Sequence, residues 1–510
     1  MEKGGAMNIK KAKDQVKDTI RAYLKKDEFG NYAINIMHQR PIFLLGAPGI
    51  GKTAIMEQIA EELDVGLVSY SMTHHTRQSA IGLPCITHKV YDGNEYTVTE
   101  YTMSEIIGSV YEMRELGGVR EGILFLDEIN CVSETLAPAM LQFLQFKIFG
   151  GHRVPEGWIV VTAGNPPEFN QSVREFDVVT MDRLKIIDVD PDYEAWREYA
   201  YRQGVHNAII RYLDIKKANF FNIETTVDGK QYVTPRGWED LSDMLKLYET
   251  IGAKVDTDLV GQYMHHPKIA RDFSIYYDLY FKYKADYQID EILSGKISEG
   301  VKEKVQAAPF DEKLSLLGLL LDAATSGCRA VMEEREVLLA LLPQLKPIGA
   351  ELGEEINSPE AILQTHIEAQ SKQIARLKTL GRSSKESLAL PHKMLNALEQ
   401  YAAILAAKKF SKGEAAFSEI KTAFNNRSDT LSQNAEQTKA RLENMFVFLE
   451  NVFGEGQEIL VAVTELTANG YASKFITEYG CPKYFAHNKD VLFYERGMDI
   501  MEDLKLLETL

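Results

Sequence analysis

The sequence predicts an α/β fold, in which a parallel β-sheet lies between layers of helices, followed by an all-α C-terminal region. Over the first 190 residues, short apolar runs that fit buried strands alternate with segments of helical periodicity, which is typical of a parallel sheet. After residue 284, helical periods dominate to the end of the chain. We therefore predict an α/β core over residues 1–190, a small helical part over 191–283 and a helical region over 284–510.

Each element of the α/β part has a local signal. Apolar residues at steps of three and four from Ile9 to Leu24 predict an amphipathic first helix. Residues 53–63 also have a helical pattern. Five short apolar runs, the last of them weaker, predict buried strands at residues 42–45, 67–70, 123–126, 159–162 and 185–189.

Two β-hairpins are predicted to interrupt this alternation. The dipeptide Asp92-Gly93 lies between β-prone runs and is a hairpin signal, with a loop of two residues or more. The pair Gly150-Gly151 lies between two shorter β-prone runs. An ordinary surface excursion is the alternative interpretation of both segments.

Composition and charge narrow the class of protein. The chain has 510 residues, with 57 Lys and Arg against 74 Asp and Glu, so its formal net charge is −17. Such an acidic chain is a poor general binder of nucleic acid or of anionic membranes. The most apolar run, residues 314–321, is far shorter than the roughly 20 residues that a membrane-spanning helix needs. We therefore expect neither a nucleic-acid partner nor a membrane span.

The N-terminus and the cysteines indicate a reducing compartment. Residues 1–26 lack the apolar segment of a secretory signal. The cysteines are far apart and form no C-x-x-C pair, so neither a disulfide framework nor a zinc site is expected. We expect a cytoplasmic protein with four free cysteines, Cys85, Cys131, Cys328 and Cys481.

The strongest chemical signal is a glycine-rich segment between the first predicted strand and the helix that begins near Ala54. Backbone N–H groups of such a loop wrap around phosphate oxygens, and the helix directs its positive end at the same anion. The Lys52 side chain fits the β- and γ-phosphates of a nucleotide, and the Thr53 hydroxyl fits Mg²⁺. The segment matches G-x-x-x-x-G-K-[ST] at every position: Gly46, Ala47, Pro48, Gly49, Ile50, Gly51, Lys52 and Thr53. These residues, together with Ala54, are the predicted nucleotide-binding residues.

A pair of acidic residues follows the predicted strand at 123–126. The carboxyl ends of strands are where parallel α/β sheets bind ligands. Asp127 fits the coordination shell of Mg²⁺, and Glu128 fits the polarisation of a water for attack on the γ-phosphate. Together with the phosphate loop, the pair predicts nucleotide hydrolysis.

These motifs resemble those of AAA+ ATPases, and three further segments resemble the MoxR family within that superfamily. Residues 159–166 are similar to the sensor-1 strand, with Asn165 in the sensing position. Residues 181–184 are similar to an Asp-Arg-Phe segment, with Arg183 as the arginine finger. Residues 234–238 are similar to the start of the sensor-2 helix, with Arg236 as the sensor. The resemblance covers residues 30 to 260, and the two hairpins fit the helix-2 and pre-sensor-1 inserts of that clade.

The resemblance implies a AAA+ P-loop αβα core with a small helical lid, binding ATP and Mg²⁺. It implies a ring, expected to be hexameric, that hydrolyses ATP to remodel, assemble or mature a protein client. A von Willebrand factor A-domain protein is a frequent partner in the family, and residues 284–510 would form the adaptor for partner or client. Because the nucleotide motifs all lie upstream, a chain ending near residue 283 is expected to fold and to bind ATP.

Several alternatives stay open at this point. Leu184 stands where the family has Phe, and nearby Arg174 is a second candidate for the finger. Asn165 could simply cap a strand end, and Arg236 could form a surface salt bridge. The chain could also act as a nucleotide-gated assembly switch with slow hydrolysis, or as a nucleic-acid motor, which the net charge disfavours.

Overall fold

The chain folds into two compact units that interleave along the sequence. The computed structural model describes residues 6–169, 173–174, 176–226, 229–354, 358–382, 384–408, 410, 413–454 and 456–488. Unit 1 comprises Met1–Ala195, Thr234–Arg236 and Ala369–His392. Unit 2 comprises Trp196–Val233, Gly237–Glu368 and Lys393–Leu510. The domain boundaries near residues 190 and 283 stay predictions.

Unit 1 is built on a six-stranded sheet in which every pairing is parallel. Across the sheet the strands lie in the order β1 (Met7–Asn8), β10 (Lys185–Asp190), β2 (Ile42–Gly46), β9 (Trp158–Gly164), β6 (Gly122–Asp127) and β3 (Gly66–Ser71). The five predicted strands are confirmed, whereas β1 was not predicted because it has only two residues. The strands of unit 1, in chain order, are β1 (Met7–Asn8), β2 (Ile42–Gly46), β3 (Gly66–Ser71), β4 (Pro84–Tyr91), β5 (Asn94–Tyr101), β6 (Gly122–Asp127), β7 (Ile148–Phe149), β8 (His152–Arg153), β9 (Trp158–Gly164) and β10 (Lys185–Asp190).

Helices flank this sheet and close its core. Leu124 and Leu126 of β6 join an apolar cluster with residues of the helices after β5 and β6, and fully buried Phe125 alternates with them toward the other face. The predicted first helix is confirmed. The first helices of the chain are α1 (Ile9–Leu24), α2 (Ala54–Leu63), α3 (Arg77–Ile81), α4 (Glu105–Leu116), α5 (Ala137–Phe146) and α6 (Val178–Met181).

Both predicted hairpins are present in unit 1. Strands β4 and β5 are joined by Asp92 and Gly93 alone, and β7 and β8 by Gly150 and Gly151 alone. All four linking residues have positive φ, as a two-residue turn that follows the strand twist requires. The β4–β5 hairpin therefore has a two-residue loop, the shorter of the two lengths considered from the sequence.

The third segment of unit 1, residues 369–392, comes from the predicted adaptor region. Leu380 is 7% exposed and belongs to the same apolar cluster as the β6 residues. Its carbonyl accepts a hydrogen bond from the N–H of Leu67 on the edge strand β3, at 3.2 Å. A chain ending near residue 283 would lack this segment, and its folding and ATP binding stay predictions.

The described part of unit 2 is helical apart from short turns and a hairpin of β11 (Asn222–Thr226) and β12 (Gly229–Val233), which was not predicted. The predicted helical C-terminal region is confirmed, and Leu442, Met445, Phe446 and Leu449 are fully buried within it. The remaining helices, including those that run between the units, are α7 (Tyr193–Gln203), α8 (Asn207–Ile215), α9 (Pro235–Ile251), α10 (Thr257–Tyr263), α11 (Pro267–Asp286), α12 (Ile289–Leu293), α13 (Glu299–Ala307), α14 (Phe310–Gly353), α15 (Pro359–Thr379), α16 (Lys385–Lys408), α17 (Gly413–Phe453), α18 (Gln457–Ala468) and α19 (Gly470–Tyr479).

One helix of unit 2 has the length and apolar composition of a membrane span. It covers residues 312–353 of α14, and 56% of its most apolar window is buried inside the protein. Within unit 2, α14 packs against α17, α18 and α19. A buried core helix passes the same test of length and composition, so this feature is weak support for a membrane span.

A buried cluster of charges joins four helices of unit 2. The guanidinium of Arg211 on α8 lies 3.2 Å from a carboxylate oxygen of Asp322 on α14 and 3.0 Å from one of Glu465 on α18. Arg197 on α7 lies 3.1 Å from the other Glu465 oxygen. Asp322 is only 4% exposed, so its charge depends on these partners rather than on water.

Candidate active site

The phosphate loop connects the carboxyl end of β2 to the first turn of α2. Gly49 and Gly51 have φ of +76° and +95°, a conformation that side chains other than glycine rarely adopt. A Cβ at Gly49 would lie 3.1 Å from the side chain of Thr234 and 3.5 Å from the Cβ of Arg236. The predicted sensor-2 segment therefore lies directly against the loop, although almost 200 residues separate the two in sequence.

Lys52 is buried at the centre of the loop. Its ammonium donates to the carbonyl oxygens of Gly46 and Ala47, at 2.9 and 2.8 Å, and to Oδ1 of Asn165, at 3.0 Å. These contacts use all three of its donors. Burial lowers the pKa of Lys52 to about 8, with Arg236 adding to the decrease and the nearby carboxylates opposing it. The three hydrogen-bond partners of the ammonium are neutral, and a bound phosphate would place a negative charge beside it.

Thr53 and Asp127 bring two oxygen ligands together. The Thr53 hydroxyl donates to Oδ2 of Asp127 at 2.8 Å. The phosphate loop and the carboxyl end of β6 therefore meet. Hydroxyl and carboxylate oxygens are the ligands that Mg²⁺ prefers.

Glu128 lies next to this pair in a constrained position. Its backbone is in the left-handed region, with φ of 56°, which turns the chain sharply after β6. Its Oε2 accepts hydrogen bonds from the hydroxyls of Ser71 and Thr73, each at 2.9 Å. The carboxylate is thus held at the edge of the site by the end of the neighbouring strand.

Asn165 follows the carboxyl end of β9 and faces the loop through its contact with Lys52. Asn130 fixes the backbone beside it, because its Nδ2 donates to the Asn165 carbonyl at 2.8 Å. The side chain of Asn165 therefore points into the site rather than serving only as a strand cap. Its contact geometry fits the predicted sensor position.

Arg183 lies far from the phosphate loop of its own chain. It precedes β10, whose first residue Lys185 pairs with Ile42, whereas Val189 pairs with Gly46 at the loop. Lys185 and Val189 are four residues apart, which corresponds to about 13 Å along a strand. Arg183 is exposed and lines a cavity of about 260 Å³ with residues of α5 and with Asp177.

Arg174, the alternative finger, lies beside Asn130, a residue of the short turn that follows the carboxyl end of β6. Its N–H donates to the carbonyl oxygen of Asn130 at 2.9 Å, and its guanidinium lies 2.6 Å from the carboxylate of exposed Glu134. This places Arg174 near the strand ends that carry its own site. The ion pair with Glu134 already occupies part of its guanidinium.

Sequence reasoning missed Ser71, Thr73 and Asn130. Ser71 pairs with Asp127 in the β3–β6 register, so the strand order was the signal that could have indicated it. Thr73 and Asn130 lie in short 3₁₀ turns just after their strands, where no motif marks them.

Comparison with known proteins agrees with this geometry. Residues 41–184 match the family model of the AAA domain, dynein-related subfamily. That stretch, less than a third of the chain, contains the phosphate loop, Asp127, Glu128, Asn165 and Arg183. No curated protein matches the chain.

The fold and the site together define a P-loop αβα core, followed by a long all-helical region. The matched domain supports an AAA+ ATPase, and with it ATP binding and nucleotide hydrolysis.

Proposed function

We propose that the protein is a ring-forming ATPase that hydrolyses ATP to remodel, assemble or mature a protein client, in the manner of the MoxR family. The observation that carries the proposal is the convergence of Lys52, Thr53, Asp127, Glu128 and Asn165 at the carboxyl ends of neighbouring parallel strands. These groups supply a cation, two metal ligands, a base and a polar sensor within one site.

The donor set fits ATP with Mg²⁺. Backbone N–H groups of the loop and Lys52 would hold the phosphates, while Thr53 and Asp127 would supply ligands to the metal. Mg²⁺ keeps several waters and takes few protein ligands. Among the described residues no group of three or more His, Cys, Asp or Glu forms a denser metal site, which agrees with that mode of binding.

Hydrolysis requires a water aligned with the γ-phosphate and stabilisation of the charge that develops on it. Glu128 would orient and deprotonate the water, and Asn165 would contact the water or the γ-phosphate. Arg236, at the start of α9 and next to Gly49, would reach a phosphate from the other side. Each role uses a group whose backbone the sheet or the loop fixes.

Ring formation is supported by the position of Arg183. The strand register separates it from its own loop, so a role at a nucleotide requires a neighbouring copy of the chain. Exposed Val178 and Val179 lie beside it, 84% and 58% exposed. We propose a hexamer in which Arg183 serves the neighbour's site. A client and a von Willebrand factor A-domain partner follow from the MoxR resemblance.

A nucleotide-gated assembly switch is the second candidate. The observation that favours it is the pair of hydroxyl donors on one oxygen of Glu128, because that oxygen is less free to accept a proton from water. Hydrolysis would then be slow until the end of β3 moves. Removing both donors, with Ser71→Ala and Thr73→Val together, should raise basal turnover if they restrain Glu128.

The decisive experiment is affinity capture with a Glu128→Gln protein held with ATP, followed by identification of the proteins bound. The control is Lys52→Ala protein treated in the same way. The captured partner is then added to the wild-type protein. A clear rise in ATP turnover supports remodelling, whereas ATP-dependent capture with unchanged turnover supports the switch. Wild-type protein that binds no ATP would refute both.

A further inference from the structure

A turn from the C-terminal region packs on the helix that follows the phosphate loop. Gly381 in this turn has φ of +78°, and a Cβ there would lie 2.3 Å from the Leu67 carbonyl oxygen on β3, so the close approach requires glycine. The turn also carries Leu380, whose side chain is buried in the core of unit 1. We define the elbow as residues Leu380, Gly381, Arg382, Ser384 and Ser387.

Arg382 of the elbow binds the C-terminal end of α2. It is 9% exposed, and its Nη2 lies 2.7 Å from Oδ1 of Asp64 and 3.4 Å from the carbonyl oxygen of Ala60. Asp64 is the left-handed C-cap of α2. A cation at this position complements the negative end of the helix dipole. Because the Asp64 side chain is 91% exposed, water screens the ion pair, and the buried guanidinium against the last turn is the more important contact.

The serines of the elbow bind the preceding turns of the same helix. Ser387 donates from Oγ to Oε2 of Glu61 at 2.9 Å. Burial raises the pKa of Glu57, and hydrogen bonds from the side chain and backbone of Ser384 oppose that increase. Contacts at residues 57, 60, 61 and 64 therefore hold two successive turns of α2.

We propose that Arg382 is a positioning residue for the ATP site, a role that rests on the function proposed above. Helix α2 has ten residues and is about 15 Å long. Its N-terminal end continues the phosphate loop with Lys52 and Thr53, while its C-terminal end is fixed by Arg382. A shift of this helix moves both residues relative to Asp127, so ATP affinity depends on docking of the elbow.

By thermodynamic linkage this effect is reciprocal. If docking of the elbow raises the affinity for ATP, then bound ATP must stabilise the docked elbow. The elbow joins α15 and α16, and both helices continue into residues assigned to unit 2. The C-terminal half of the chain is therefore connected to the phosphate loop through a defined set of contacts. An adaptor bound to the C-terminal half of the chain would therefore act on the nucleotide site through the elbow.

The test compares Arg382→Ala and Arg382→Lys with a control, Arg376→Ala, which removes an exposed arginine from α15. ATP Kd, KM and kcat are measured on the full chain well below its unfolding temperature. Arg382→Ala should raise Kd and KM about tenfold, as expected for a displaced binding group, and change kcat much less. Arg382→Lys should recover part of the affinity, and Arg376→Ala should match the wild type.

Unchanged Kd in a folded Arg382→Ala protein would overturn the proposal, even if its unfolding temperature fell. If that variant does not fold, hydrogen exchange on the wild type decides the question. A non-hydrolysable ATP analogue with Mg²⁺ should slow exchange of the Leu67 N–H, which donates to the Leu380 carbonyl. Equal exchange with and without the analogue overturns the proposal. Absence of ATP binding by the wild type would instead refute the ATPase function itself.

Discussion

At the scale of single residues, the site can be tested through the charges that its geometry perturbs. Lys52 donates to two carbonyls and an amide oxygen, and burial lowers its pKa to about 8. Its unfolded-state pKa is about 10.4. The nucleotide-free protein therefore gains stability as pH rises from about 8 toward that value, because the folded state binds fewer protons over this range.

Phosphate binding should reverse this perturbation of Lys52. Bound ATP stabilises the ammonium and raises its pKa, so binding takes up a proton above pH 8 and ATP affinity falls as pH increases. The fall should approach tenfold per pH unit above pH 8. Calorimetry at pH 7.5 and 9.5, in two buffers of different ionisation enthalpy, measures both quantities.

The control for this titration is Lys147, another buried lysine. Burial lowers its pKa to about 8 as well, but its ammonium donates to the carbonyls of Ile36 and Gln39. Lys147→Met should retain the proton uptake on ATP binding. Equal ATP affinity at both pH values in the wild type would show that Lys52 does not bind phosphate.

Glu128 gives a prediction about turnover. Glu128→Gln preserves the shape of the side chain but removes its ability to act as a base. We expect ATP binding to persist and turnover to fall by at least about 10²-fold. Glu134→Gln, six residues away and 85% exposed at the side chain, should hydrolyse ATP normally. Wild-type turnover in the Glu128→Gln protein would exclude the assigned role.

At the scale of elements, strands and loops made of contiguous residues could be predicted from the sequence, whereas contacts between distant segments could not. Five strands of the parallel sheet could be predicted from short apolar runs. These runs are continuous where both faces are buried, as in β6 and β9, and the signal is weaker in β10, whose inner residues alternate between buried and exposed. The phosphate loop could be predicted because one octapeptide contains all of its groups. The place of Leu380 in the core could not, since nothing in the local pattern of α15 indicates a partner on β3, more than 300 residues earlier.

The docked segment should contribute measurably to the stability of unit 1. Leu380→Ala removes a buried side chain from the apolar cluster at the edge of the sheet. We expect a loss of about 2–5 kcal/mol in the free energy of unfolding of that unit. Leu377→Ala, in the last turn of α15 just before Leu380 and only partly buried, should cost less. Urea unfolding monitored at the β-sheet would contradict the packing if the two variants had the same midpoint.

The charge cluster of unit 2 gives a second prediction at this scale. Asp322→Ala leaves part of the Arg211 guanidinium buried without its carboxylate partner. Breaking such a pair costs about 3–5 kcal/mol. Asp429→Ala on α17, an exposed position, is the matched control and should have little effect. A thermal unfolding temperature equal to that of the control variant would show that the cluster is not a stabilising feature.

At the scale of the whole molecule, the testable feature is the distance between Arg183 and its own phosphate loop. If Arg183 serves a neighbouring copy, Arg183→Ala should bind ATP normally and lose about 10³ to 10⁵ in rate. Mixing this variant with Lys52→Ala protein should restore part of the activity, because some interfaces then pair an intact loop with an intact arginine.

The mixed-ring experiment has a direct comparison in Arg174. Arg174→Ala removes the ion pair with Glu134 and should leave turnover near that of the wild type. Normal turnover by Arg183→Ala alone, or no recovery in mixed rings shown to co-assemble, would exclude Arg183 as the finger. If Arg174→Ala instead loses ATP turnover alone and regains part of it in mixed rings, the arginine finger is Arg174.

The interleaving of the units also sets an order of events during synthesis. Between Ala195 and Ala369 the ribosome must add 173 residues, of which only Thr234–Arg236 belong to unit 1. At typical elongation rates of 5–20 residues per second, this takes roughly 9 to 35 seconds. During that interval the nascent core has emerged, but the apolar position that Leu380 fills stays open to water. Ribosome-bound chains of this protein should therefore be most prone to aggregate, and most dependent on chaperones, until residue 392 has left the exit tunnel.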